Sequence, residues 1–139
     1  FSGIKLPGSL ESYTNLEIEH ILPDTPSVEL RAKWTAENPA ALYEDYKNKL
    51  GNLTLLEKPI NIVAGNDFYA AKREEYQKSS NYLTRSLVDL TNVGQNTSIT
   101  RINGKLQSFP TWNAASIDKR HGVLMSLAQD VWRTTPIDV

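Results

Sequence analysis

The chain reads as an α+β fold, mainly helical and with very little sheet. Two short apolar runs, Leu16–Ile21 and Asn52–Glu57, have β character. The stretches between and after them repeat their apolar residues at three- and four-residue intervals, as helices do. At 139 residues, 40% hydrophobic and 22% charged, the chain has the size and composition of one globular domain around a single core.

Each element has a local reason. Residues 1–14, with Gly3, Pro7 and Gly8, read as a lead-in or linker, so the domain proper is 15–139. Leu16 and Ile18 alternate with Glu17 and Glu19, the period of a half-buried strand, until Pro23 and Pro26 stop it. Ser27 caps a helix to Glu37 whose inner face carries Leu30 and Trp34. Asn38 and Pro39 read as the start of a second helix bearing Leu42, Tyr46 and Leu50, which Gly51 ends.

After the Asn52–Glu57 run, Asn66 and Asp67 are expected to cap a helix to about Ser79, with Phe68, Ala71 and Tyr76 inward. Leu83, Leu87 and Leu90 predict another helix. The segments SITRI and KLQSF flank Asn103-Gly104, a strong hairpin signal, so a late β-hairpin is expected over 97–109. A long helix then follows Asn113, through Ile117, His121, Leu124, Ala128 and Val131, and ends before Pro136. Trp34, Trp112 and Trp132 are expected as core anchors.

Composition excludes several classes of function. Fifteen basic against sixteen acidic residues leave a formal charge of −1, which argues against nonspecific coating of nucleic acid. The absence of cysteine excludes a disulfide scaffold and any Cys-based zinc or iron–sulfur site, and fits a cytoplasmic origin. No apolar run approaches the ~20 residues that span a bilayer, and no signal peptide is visible, so no membrane partner is expected. A start at Phe1, with Met125 the lone methionine, suggests a piece of a longer protein.

The chemistry concentrates at Glu19-His20, where the first strand ends. A carboxylate beside an imidazole can supply a metal ligand and a general base together. Neighbours in a regular strand point to opposite faces, so both serve one site only if the strand breaks at His20. The second part is Gly51-Asn52-Leu53-Thr54-Leu55-Leu56, with Asn61 nine residues after Asn52.

These segments together resemble the HNH (ββα-metal, His–metal finger) nuclease motif. They are more closely similar to the C-terminal domain family of GmrSD-type restriction endonucleases and related phage-defence nucleases. The residues that carry the likeness are Glu19-His20-Ile21-Leu22-Pro23, then GNLTLL, then Asn61, Asn66, Phe68, Lys72 and Tyr76. Late in the chain, Trp112, Ile117, Arg120, Leu124, Ala128 and Trp132 add to it. It covers roughly 15–90 and 111–133.

The resemblance implies a ββα-metal finger inside the helical domain and a metal-dependent DNA endonuclease of a bacterial restriction or anti-phage system. Glu19 and Asn61 would ligate one Mg²⁺ (or Mn²⁺), with Asn66 a secondary candidate. His20 would act as general base, and Asn52 would hold the loop that orients it. Lys72 and Arg120 would meet the phosphates of double-stranded phage DNA. An N-terminal sensor domain or companion subunit would gate the activity. Against the wider HNH pattern, Glu19 stands where Asp is commoner, and Ala64 stands where a basic residue often lies. No cysteine pairs staple the finger. Residues 92–110 read as an insertion contacting DNA or a partner. The alternative is a catalytically degenerate finger that binds nucleic acid or a partner domain without cutting. An RNA-cutting domain is the weaker third reading.

Overall fold

A computed structural model describes residues 15–90 and 104–132. Strand β1 (Leu16–His20) pairs antiparallel with β2 (Leu53–Glu57), the register running from Leu16 opposite Glu57 to His20 opposite Leu53. The period-two alternation gives this ribbon two different faces. Glu19, Thr54 and Leu56 are buried on one, whereas Ile18 and Leu55 lie on the other at 63% and 44% exposure.

Helix α1 (Val28–Glu37) starts as its sequence predicts, with Ser27 Oγ accepting the Leu30 N–H at 3.1 Å. Leu30 and Trp34 face inward. Asn38 does not open the next helix. It closes α1, its backbone and side-chain nitrogens both donating to the Trp34 carbonyl at 2.8 and 3.0 Å. Its Oδ1 accepts from Ala114 N at 2.9 Å, so an expected N-cap instead ties two distant helices. Helix α2 (Tyr43–Lys47) begins later, after Leu42, with no side-chain cap.

A single 3₁₀ turn, Leu50–Asn52, leads into β2. Gly51 is required in it, because a Cβ there would lie 2.1 Å from the Ile117 carbonyl oxygen. Helix α3 (Lys58–Ala64) follows β2 without a linker, Pro59 in its first turn, and ends at Gly65 with φ 54°. Strand, strand and helix therefore follow in that order, with α1 and α2 inserted between the strands.

Helix α4 (Tyr69–Lys78) starts two residues later than its expected caps. Asn66 is exposed, and Asp67 accepts only the N–H of Phe68, so neither caps the helix. The helix expected on Leu83, Leu87 and Leu90 shrinks to one turn, α5 (Tyr82–Arg85), capped by Asn81. Helix α6 (Ala114–Trp132) is the long one, and Asn113 Oδ1 accepts Ser116 N at its start.

The core gathers around Ile21, Trp34, Leu56, Tyr76, Trp112 and Ile117. Trp34 and Trp112 are core anchors as expected. Trp132 is not, being 76% exposed at the end of α6. The first arm and Asn103 of the expected hairpin lie outside the described residues; Gly104–Lys105 form a turn, and 106–109 carry no strand. Among the described residues no helix is long and apolar enough to cross a membrane.

Candidate active site

Asn52 organises the end of β1. Its side chain is fully buried, and all four of its hydrogen-bonding positions are used. Oδ1 accepts from Leu22 N at 2.7 Å and from Trp112 Nε1 at 2.9 Å. Nδ2 donates to Leu22 O at 2.9 Å and to Lys47 O at 2.7 Å. The turn that leaves His20 is thereby gripped on both sides of Leu22, and Ile21 N adds a bond to Asn52 O at 3.0 Å. His20 itself is half-buried, its Nε2 3.3 Å from Asn48 Oδ1.

The strand does not break at His20, which still pairs with Leu53. Glu19 and His20 therefore leave opposite faces of the ribbon, and the break expected to turn both toward one site is not found. Glu19 turns inward. Its Oε1 accepts from Lys72 Nζ at 2.7 Å and from Tyr76 Oη at 2.6 Å, and Lys72 Nζ also donates to His20 O at 3.0 Å. Burial pushes the Lys72 ammonium below the ordinary lysine value, against the pull of Glu19. Burial, reinforced by the Glu19 carboxylate, holds the Tyr76 hydroxyl well above the ordinary tyrosine value.

Asn61 on α3 is not joined to Glu19. Its Nδ2 donates to Glu17 Oε2 at 2.9 Å, on the same strand face two residues earlier. Among the described residues no three His, Cys, Asp or Glu side chains cluster as a metal cage. Oxygen donors are nonetheless present. Asn61 spends its nitrogen on Glu17 and keeps Oδ1, while Glu19 takes both its hydrogen bonds on Oε1 and keeps Oε2. Hard oxygens of this kind, with water completing the shell, are the donor type that suits Mg²⁺. Asn66, exposed beyond α3, makes no hydrogen bond to Glu17, Glu19 or Asn61.

Lys72 and Arg120, expected at substrate phosphates, both point into the protein. The Lys72 side chain is 0% exposed and ion-paired with Glu19. Arg120 is 3% exposed, and its Nη1 donates to the carbonyls of Gly51 and Leu53 at 2.8 and 2.7 Å, either side of Asn52. Burial lowers its guanidinium from the ordinary value, and Nη2 has no hydrogen-bond partner among the described residues. These are cations that shape the backbone, and neither offers its charge to a ligand at the surface.

Sequence reasoning missed Asn48, Glu17 and the grip of Trp112 on Asn52. Glu17 carried a signal: its alternation with Glu19 already set both carboxylates on one face. Asn48 had none, because its partner is 28 residues away.

A two-stranded antiparallel ribbon followed by a helix, with Glu19-His20 at its end and a buried asparagine fixing the turn beyond, makes this an α+β domain. Residues 4–127 match the family described as GmrSD restriction endonucleases, C-terminal domain, and the chain belongs to that family. No curated protein and no solved structure matches it. Membership implies a nuclease acting in restriction, and nuclease domains of this kind are generally metal-dependent.

Proposed function

We propose that the domain hydrolyses DNA phosphodiester bonds with His20 as the general base. The observation that carries this reading is the Asn52 cluster. A fully buried side chain holds the turn next to a half-buried histidine through both the N–H and the C=O of Leu22. A core histidine needs no such support, whereas a base must be held against a water and a phosphate.

In the proposed step the imidazole takes a proton from water as its oxygen bonds to phosphorus. The bond from phosphorus to the 3′-oxygen breaks on the far side. Glu19 and Asn61 would hold one Mg²⁺ through Oε2 and Oδ1; when bound, the ion supplies stabilisation of charge on the phosphoryl and leaving oxygens. Lys72 and Tyr76 hold the Glu19 carboxylate in place through Oε1. Arg120 holds the backbone on either side of Asn52. The substrate proposed is double-stranded phage DNA in the bacterial cytoplasm, with a sensor domain or companion subunit as the gate; this part rests on the family.

A binding-only finger is the second reading. The Lys72 ammonium already seated on Glu19 and the net charge of −1 favour it. Plasmid DNA incubated with Mg²⁺ or Mn²⁺, beside a chelator control, separates the two. His20→Ala should abolish cleavage with the fold intact, because His20 is only half-buried and its removal opens no core cavity. Wild-type cutting by that variant would refute the general-base role. Intact supercoil at high concentrations of the unaltered protein would favour the binder.

A further inference from the structure

We propose that Asn48 is the positioning residue for His20, an inference that rests on the reading of His20 as general base. Asn48 lies just past the end of α2, its backbone N–H closing that helix on Tyr46 O. Its Oδ1 is 3.3 Å from His20 Nε2. A carboxamide oxygen can only accept, so Nε2 carries the proton and Nδ1 keeps the lone pair that a base requires. The contact thus sets both the tautomer and the plane of the ring.

The two side chains are brought together from different parts of the fold by one amide group. Asn52 Nδ2 donates at once to Leu22 O, two residues beyond His20, and to Lys47 O, immediately before Asn48. Lys47 is tied in turn to Asp24 and Glu44 by ion pairs of 2.9 Å each. The His20 turn and the end of α2 are therefore fastened to a common point, and an exposed Asn48 side chain is set within reach of the imidazole. A surface asparagine with no positioning role has no need of a neighbour secured by a fully buried hub.

The test uses Asn48→Leu and Asn48→Asp in the intact protein, with plasmid DNA and Mg²⁺, alongside histidine-selective ¹⁵N spectra of the unaltered protein and of Asn48→Leu. Asn48→Leu should lower kcat by about 10–100-fold, the usual range for losing the partner that orients a site residue, with KM and Tm little changed. Asn48→Asp still accepts the Nε2 proton and should recover most of the rate. In the spectra, neutral His20 should be chiefly the Nε2–H tautomer. Wild-type kcat in Asn48→Leu, or a chiefly Nδ1–H tautomer in the unaltered protein, would overturn the proposal. The tautomer of the unaltered protein is read whether or not a variant folds or a substrate is cut. If His20→Ala cuts at the wild-type rate, the general-base reading fails, and a shift in tautomer between the unaltered protein and Asn48→Leu still reports whether Asn48 fixes the ring.

Discussion

Two buried polar clusters flank the tip of β1, and they are built on opposite principles. Around Asn52 every group is neutral, and one amide meets four partners drawn from three separate segments. Around Glu19 a carboxylate and an ammonium are sealed together, with a tyrosine hydroxyl as third member. A neutral cluster keeps its geometry at any pH the fold survives. A charged one holds only while each ion retains its partner. The turn beyond β1 is secured by the first kind, and the buried carboxylate by the second.

Replacing Asn52 should have the largest effect on stability. Asn52→Ala strands the N–H and C=O of Leu22, the carbonyl of Lys47 and the indole N–H of Trp112. At ~1–3 kcal/mol for each stranded group that water does not reach, denaturant titration should show a loss of about 4 kcal/mol or more. A loss below ~1 kcal/mol would mean that the cluster is plastic, and the contrast drawn above would collapse.

Lys72→Met tests the charged side. It leaves Glu19 buried opposite a thioether and should cost about 3–5 kcal/mol. Adding Glu19→Gln removes the orphaned charge and should restore most of that loss. If the single substitution is harmless, Glu19 has another source of charge compensation, and a cation bound at Oε2 becomes the first to look for.

Alkali should act on the same side. Burial raises the Tyr69 hydroxyl to about 12, and Tyr76 lies well above the ordinary value of 10.0. Since both folded values exceed the unfolded one, their contribution to stability is complete below pH 10 and disappears as pH climbs through the folded values. For Tyr69 this amounts to about 2–3 kcal/mol. Tyrosinate absorbance from these two should rise together with loss of far-UV circular dichroism. Ionisation of all six tyrosines at the ordinary value in a folded protein would contradict it.

The smallest effect belongs to the exposed ion pair that ties α6 to α2. Asp118 accepts from Lys49 at 2.7 Å and from Tyr46 at 2.9 Å, but its side chain is 51% exposed. Asp118→Asn should cost under ~1 kcal/mol and less still at high salt. A greater loss in thermal melts would show that surface charge shares in holding the Asn52 cluster closed.

Much of the fold was legible because it depends on local periods. Alternation marks β1, the Leu30–Trp34 spacing marks α1, and the long stripe after Asn113 marks α6. Caps were less readable. Asn38, Asn66 and Asp67 are chemically able to start helices, yet Asn38 is claimed by Trp34 and Ala114, and α4 begins without a side-chain cap. Helix α3 was expected only through the family likeness, as it has too few residues to show a period of its own. The site residues were legible as chemical types. Their partners were not, because Glu19 meets Lys72 across 53 residues and Asn52 meets Trp112 across 60. Lys72 and Arg120 looked like phosphate ligands for that reason: nothing local distinguishes an inward cation from a solvated one.

One modest feature bears on how this domain can diversify. Phe109 N donates to Leu87 O at 2.8 Å, and the Tyr69 hydroxyl lies 3.0 Å from that same oxygen and 2.8 Å from Phe109 O. The chain is thus pinched shut on both sides of residues 91–103. Because those anchors close on one another, a change of length between them is expected to leave the register of both strands unaltered.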